Sequence, residues 1–194
     1  GISHDLRTPL ARLRLETEMS VPDPEAREHM AADIAQVDTI IDKFLDYARP
    51  DHVNLIPVPL AELVRASVLP FLQREDMQVQ IDIAPELRVM SDEVELSRVL
   101  ANLLENARRY GKTPGTDLAR VRLAATVRDG WISLRVRDHG PGVPPDMLSS
   151  LTRPFFRGDS ARTEATGAGL GLAIVAKMVQ NMDRSEEHTS ELQS

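Results

Sequence analysis

Met30, Ile34, Val37, Ile41, Phe44 and Ala48 follow one another at steps of four, three, four, three and four residues, a seam of coiled-coil type. A stripe this regular suits a helix packed along another helix, since a strand would set its apolar residues at every second position. The partner helix lies just upstream. Ile2, Leu6, Leu10, Leu13 and Thr17 keep the same helical period, and Ser20-Val21-Pro22-Asp23-Pro24 then breaks it, with Asp23 or Ser20 available as a cap. The expected unit is an antiparallel helical hairpin over residues 1–49. A hairpin this thin cannot bury both of its stripes, so a second copy is expected to complete a four-helix bundle. Packing onto the rest of the same chain is the alternative.

The pattern changes beyond the hairpin. Residues 49–59 carry three prolines and little periodicity, which marks residues 50–58 as a linker. Residues 60–73 look helical, 79–84 and 87–90 look like short strands, and 92–110 form a long amphipathic helix. Residues 119–127 and 131–137 alternate and are joined at Asp129-Gly130, the best hairpin dipeptide in the chain. An apolar helix over 173–182 follows. The fold class is therefore α plus α/β, a helical hairpin followed by a two-layer α/β sandwich over residues 59–183.

Composition removes several function classes. The 194 residues suit one or two small domains, and an apolar share of 42% is enough for real cores. A formal charge of −7, with arginines interspersed among Asp and Glu, argues against a nucleic-acid partner. No cysteine is present, so disulfides and thiolate metal sites are excluded. No apolar run approaches the length of a membrane span.

Several short runs carry chemistry. His4 has Asp5 beside it and Thr8 one helical turn on, so a nucleophile, a carboxylate and a hydroxyl share one helix end. Pro9 is expected to bend that helix just below the histidine. Asn102 and Asn106 share a helix face, and an amide oxygen can complete the shell of a hard cation such as Mg²⁺ without adding charge. Asp138 ends an alternating segment, where a carboxylate can accept the exocyclic amine of adenine. Gly140 and Gly142 allow the backbone to approach a flat ring. Phe155 and Arg157 sit where two aromatics precede a polar run, and Gly167, Gly169 and Gly171 open a helix whose free N–H groups suit phosphate.

Taken in order, SHDLRTPL from residue 3, NLLENARRY from residue 102, DHGPG from residue 138, the stretch 154–162 and GAGLGL from residue 167 resemble the motifs of the sensor histidine kinases. These are the phospho-acceptor box, the N box, the first glycine box, the F box and the second glycine box. The likeness covers residues 1–182 and is greatest, in the phospho-acceptor box, the N box and RGDSART at 157–163, to an osmosensor kinase. It implies that His4 takes the γ-phosphoryl of ATP, with Asp5 orienting the imidazole or accepting its proton. Thr8 would help place a water for the reverse, phosphatase, reaction. Asn106 would ligate Mg²⁺, Asn102 and Arg109 would face phosphates, Tyr110 would stack on adenine and Asp138 would read it. Phe155 and Arg157 would begin the nucleotide lid. His139 is expected to be an exposed bystander. Ala168 stands where a hydroxyl residue is common.

The implied cofactors are ATP and Mg²⁺, and the implied partners are a second copy and a response-regulator receiver domain of the OmpR type. The parent is expected in the bacterial inner membrane, this chain being cytoplasmic, with the sensor and membrane parts lying upstream of residue 1. RSEEHTSELQS at 184–194 matches the translation of a sequencing-adapter oligonucleotide and reads as non-native. The family's domain ends with two further strands, so the chain is expected to lack them, to be destabilised and to be weakly active. Two other readings are an ATPase of the gyrase, mismatch-repair and chaperone type, with Glu105 as its general base, and a non-catalytic dimerisation and docking module.

Overall fold

Two prolines and an aspartate end one helix and start the next. In the computed structural model, which describes the backbone of residues 2–48, 53–154, 156 and 169–191 and the side chains of 6–48, 53–154, 156 and 169–182, α1 spans Ile2–Ser20 and α2 spans Pro24–Ala48. Asp23 caps α2, its carboxylate accepting from the Glu25 N–H at 3.1 Å. The helix α1 continues through Pro9. Thr17 is buried in this pair, and its hydroxyl donates to the Leu13 carbonyl at 2.8 Å, so a polar side chain holds an apolar position at no loss of hydrogen bonding. No side chain of α2 is buried.

A second compact unit carries the rest of the regular structure. Its elements are β1 (Ile56–Pro59), α3 (Leu60–Leu72), β2 (Met77–Asp82), β3 (Arg88–Ser91), α4 (Glu93–Tyr110), β4 (Ala119–Arg128), β5 (Trp131–Asp138), a 3₁₀ turn (Pro145–Ser150) and α5 (Gly171–Glu191). The strand β1 falls inside the expected linker. It pairs antiparallel with β3, Val58 opposite Val89, and the Asn54 N–H donates to Asp92 Oδ2 at 2.9 Å, so ordered structure begins before residue 59. Proline suits this strand because the two-stranded sheet leaves it an open edge.

The other sheet runs β2-β4-β5, with β2 and β4 parallel and β4 and β5 antiparallel. Asp129 and Gly130 join the last two with φ of 52° and 81°, the positive pair that a tight hairpin turn demands. Among the described residues the far edge of β5 is unpaired. One face of this sheet packs against helices. Leu60, Val64 and Val68 of α3, Leu100 and Leu104 of α4, and Val121 and Leu123 of β4 are buried in one core, each large aliphatic side chain contributing roughly 1.5–3 kcal/mol. Ala173, Ile174 and Met178 bury one side of α5, which packs on α4. This helix runs past residue 182 to Glu191, through a stretch free of Gly and Pro, and so into the run read as adapter-derived. The two-layer α/β sandwich is as expected. Among the described residues no helix is long and apolar enough to cross a membrane.

Candidate active site

The helix α4 is the spine of the candidate site. Asp92 caps it, accepting from the N–H groups of Val94 and Glu95 at 2.9 and 3.0 Å. Its apolar stripe, Leu100, Leu104 and Ala107, is buried in the core, while Asn102 and Asn106 meet the first residue of α5. A Cβ added to Gly171 would stand 3.3 Å from Asn106 Oδ1 and 3.5 Å from Asn102 Oδ1, so the absence of a side chain lets α5 begin flush against the amide pair. Asn102 donates from Nδ2 to the Arg98 carbonyl at 2.9 Å, which fixes its orientation. The Asn106 amide makes no hydrogen bond among the described residues. It is half-buried, neutral and oxygen-bearing. Among the described residues there is no group of three His, Cys, Asp or Glu that could hold a metal. A divalent ion here would take one amide oxygen and fill its shell with phosphate and water, which is the habit of Mg²⁺.

The other end of α4 is joined to β5 by two glycines. Gly111 closes the helix, its N–H donating to the Ala107 carbonyl at 2.7 Å. A Cβ on Gly111 would lie 2.6 Å from Asp138 Cβ, and one on Gly140 would lie 2.6 Å from Gly111 Cα. The backbones therefore touch, and Asp138 is held beside the last turn of the asparagine helix. Gly140 donates its N–H to Asp138 Oδ1 at 2.9 Å, which leaves Oδ2 without a partner among the described residues. Gly142 adopts φ of 75°, a conformation that favours glycine. His139 is exposed, as expected, but its Nδ1 lies 3.1 Å from the Arg120 carbonyl, so that nitrogen carries the proton.

Glu105, adjacent to Asn106, is the hub of an ion-pair network. It accepts from Arg108 at 2.8 and 3.0 Å and from Arg109 Nε at 2.6 Å, and Arg108 also reaches Asp76 at 2.7 Å. Burial alone would raise the Glu105 carboxyl, but the hydrogen bonds and charges of Arg108 and Arg109 overcome it and bring the pKa to about 2. A carboxylate that acidic is a poor general base. Arg109, expected to face phosphates, has its Nε committed to Glu105. Tyr110 is exposed at the end of α4.

The structure thus gathers Asn102, Asn106, Asp138, Gly140 and Gly171 in one unit. Gly169 precedes α5 with φ of 67°. Phe155, Arg157 and Gly167 lie outside the described residues. His4, Asp5 and Thr8 all fall on α1. The side chains of His4 and Asp5 lie outside the described residues, and Thr8 is exposed. Nearby, Arg7 donates to Asp42 at 2.6 Å and ties α1 to α2. Sequence reasoning missed Gly111 and the hub role of Glu105. A glycine directly after a helix's last residue was the available signal for Gly111.

Residues 91–193 match the family described as histidine kinase-, DNA gyrase B- and HSP90-like ATPases, and residues 1–53 match the His kinase A phospho-acceptor domain. Among curated proteins, the chain is 32% identical to the signal transduction histidine-protein kinase/phosphatase MprB of Mycolicibacterium paratuberculosis, over 92% of this chain and 36% of that protein. It is also 32% identical to the histidine-protein kinase BaeS of Escherichia coli, over 92% of this chain and 40% of that one. The chain therefore spans well under half the length of these relatives. Among solved structures, full-length ShkA in complex with AMPPNP superposes with a TM-score of 0.70 at 25% identity, covering 94% of this chain and 40% of that one. Mycobacterial MprB gives 0.56 at 30% identity, covering 67% and 81%.

Proposed function

The chain belongs to the histidine kinase-, DNA gyrase B- and HSP90-like ATPase family, here behind a phospho-acceptor hairpin, and from that premise we propose that it is the catalytic core of a two-component sensor histidine kinase. ATP binds the second unit, His4 takes the γ-phosphoryl group, and an aspartate on a response-regulator receiver domain receives it next. The observation that carries this reading is the convergence of Asn106, Gly171 and Asp138 around one end of α4, with the Asn106 amide and Asp138 Oδ2 unengaged among the described residues.

The roles follow from chemistry. Asp138 Oδ2 accepts the adenine amine, Gly140 and Gly142 let the ring approach, and Tyr110 stacks on it. Asn102, Arg109, Gly167, Gly169 and Gly171 face the phosphates, and Phe155 and Arg157 open the lid. Asn106 would hold Mg²⁺, which when bound neutralises phosphate charge and leaves the γ-phosphorus open to attack. A neutral His4 nitrogen attacks that phosphorus, the bond to the bridging oxygen breaks, and ADP departs with the electron pair. Asp5 accepts the imidazole proton. Thr8 places water for the phosphatase direction. A second copy pairs through the exposed seam of α2, and the chain forms the cytoplasmic portion of a bacterial inner-membrane protein. The RGDSART phrase supports an osmosensor of the EnvZ type with an OmpR-like regulator.

The locked state of Glu105 weighs against the gyrase-type ATPase reading, which needs a free base next to Asn106. Incubation with γ-labelled ATP tests the proposal. His4→Gln is expected to remove all acid-labile label while a fluorescent ATP analogue still binds, and label retained on the variant would overturn the assignment.

A further inference from the structure

The arginines of β4 and β5 look interspersed in the sequence but not in the sheet. Side chains alternate between the faces of a strand. With Ala119, Val121 and Leu123 buried in the core, Arg120, Arg122 and Arg128 must point outward, and with Ile132, Leu134 and Val136 packed on the core, so must Arg135 and Arg137. All five are exposed. The register sets Arg122 directly opposite Arg137, and Arg128 opposite Trp131. Like charges directly opposed on one sheet face destabilise it, a cost that Asp82 beside Arg122 offsets in part.

Charge on this face is not balanced locally. Arg122 pairs with Asp82 of β2, but Arg120, Arg128, Arg135 and Arg137 have no acidic partner among the described residues. The arginines of α4 differ. Arg98, Arg108 and Arg109 each pair with Glu95, Glu105 or Asp76. A chain with a formal charge of −7 thus keeps a positive sheet face. At the end of that face lies Trp131, 70% exposed and the chain's single tryptophan.

We propose that the outer face of the β2-β4-β5 sheet is a docking surface for a carboxylate-rich protein segment. The charge complementarity is with carboxylates because guanidinium forks at cross-strand spacing pair bidentately with them. Arginine and tryptophan are both enriched in protein–protein interface cores.

The test uses the 194-residue chain and a fluorescein-labelled peptide of about a dozen glutamates, at low salt because such binding is screened. Binding is expected by anisotropy, with a shift in the emission of Trp131. Arg135→Glu/Arg137→Glu is expected to weaken it about tenfold or more. Arg65→Glu/Arg74→Glu makes the same change in net charge on exposed residues of α3 and the loop after it, and is expected to leave binding nearly intact. Should the first double variant misfold by circular dichroism, Arg135→Gln/Arg137→Gln takes its place. Equal weakening by both pairs, or no binding at all, overturns the proposal. So does tighter, Arg135- and Arg137-dependent binding of phosphatidylglycerol vesicles or oligo-thymidylate.

Discussion

Within α2 every seam residue stays at least partly open to solvent, Phe44 at 46% and Met30 and Val37 at 44%, whereas Leu60, Leu100, Leu104 and Leu123 of the second unit are at 1% or less. Both regions carry regular apolar patterns, so pattern alone does not make a closed core. The α/β unit has a sheet face and the stripes of three helices to set against one another. The hairpin has only two stripes, and α1 covers only part of the seam of α2. Its remaining apolar surface is of the kind that a second copy would cover.

The sharpest way to break this contrast is a pair of truncations. Leu104→Ala is expected to destabilise the second unit by about 2–5 kcal/mol, because a buried leucine leaves a cavity when cut. The urea midpoint should fall by the same amount at any protein concentration. Phe44→Ala should leave that transition alone and raise the dissociation constant of the proposed dimer about tenfold or more, as measured by sedimentation. An unchanged association constant would remove the seam from the interface.

Glycines refine the comparison inside the α/β unit. Gly140→Ala puts a Cβ 2.6 Å from the Gly111 backbone, so α4 and the end of β5 must part. The expected loss is about 1–3 kcal/mol of stability together with weaker binding of a fluorescent ATP analogue. At Gly142 the same change meets nothing within 4 Å and is opposed only by φ of 75°, worth about 1 kcal/mol. If both variants bind nucleotide equally well, the Gly111–Gly140 contact does not position the site.

Much of this was legible in the chain. The β4–β5 hairpin follows from alternation and Asp129-Gly130, and α4 from its stripe and the cap at Asp92. The chemistry-bearing asparagines and glycines could be placed because local motifs name them. What escaped depended on distant partners. The strand β1 is four residues long with two prolines, and only pairing with β3, some thirty residues on, makes it a strand. Gly111 acquires its role from Gly140 across the fold. Counting arginines along the sequence hid the outer face of the sheet, because alternation separates neighbours in sequence onto opposite sides.

The smallest effect expected is electrostatic, and it again separates the two regions. Glu105 has its pKa lowered from 4.5 to about 2. A folded-state value below the unfolded one means stability is fully present above about pH 4.5 and is lost as the pH falls toward 2. Partial exposure of the network limits the contribution to about 1–2 kcal/mol. Glu105→Gln should therefore lower the urea midpoint at neutral pH and flatten its decline across that acid window, since the glutamine has no proton to take up. Arg7→Gln, in the hairpin, breaks an exposed pair with Asp42 and should leave the midpoint and its acid limb where they were. An acid limb unchanged by Glu105→Gln would mean that Arg108 and Arg109 do not hold that carboxylate in solution, and would reopen it as a base beside Asn106.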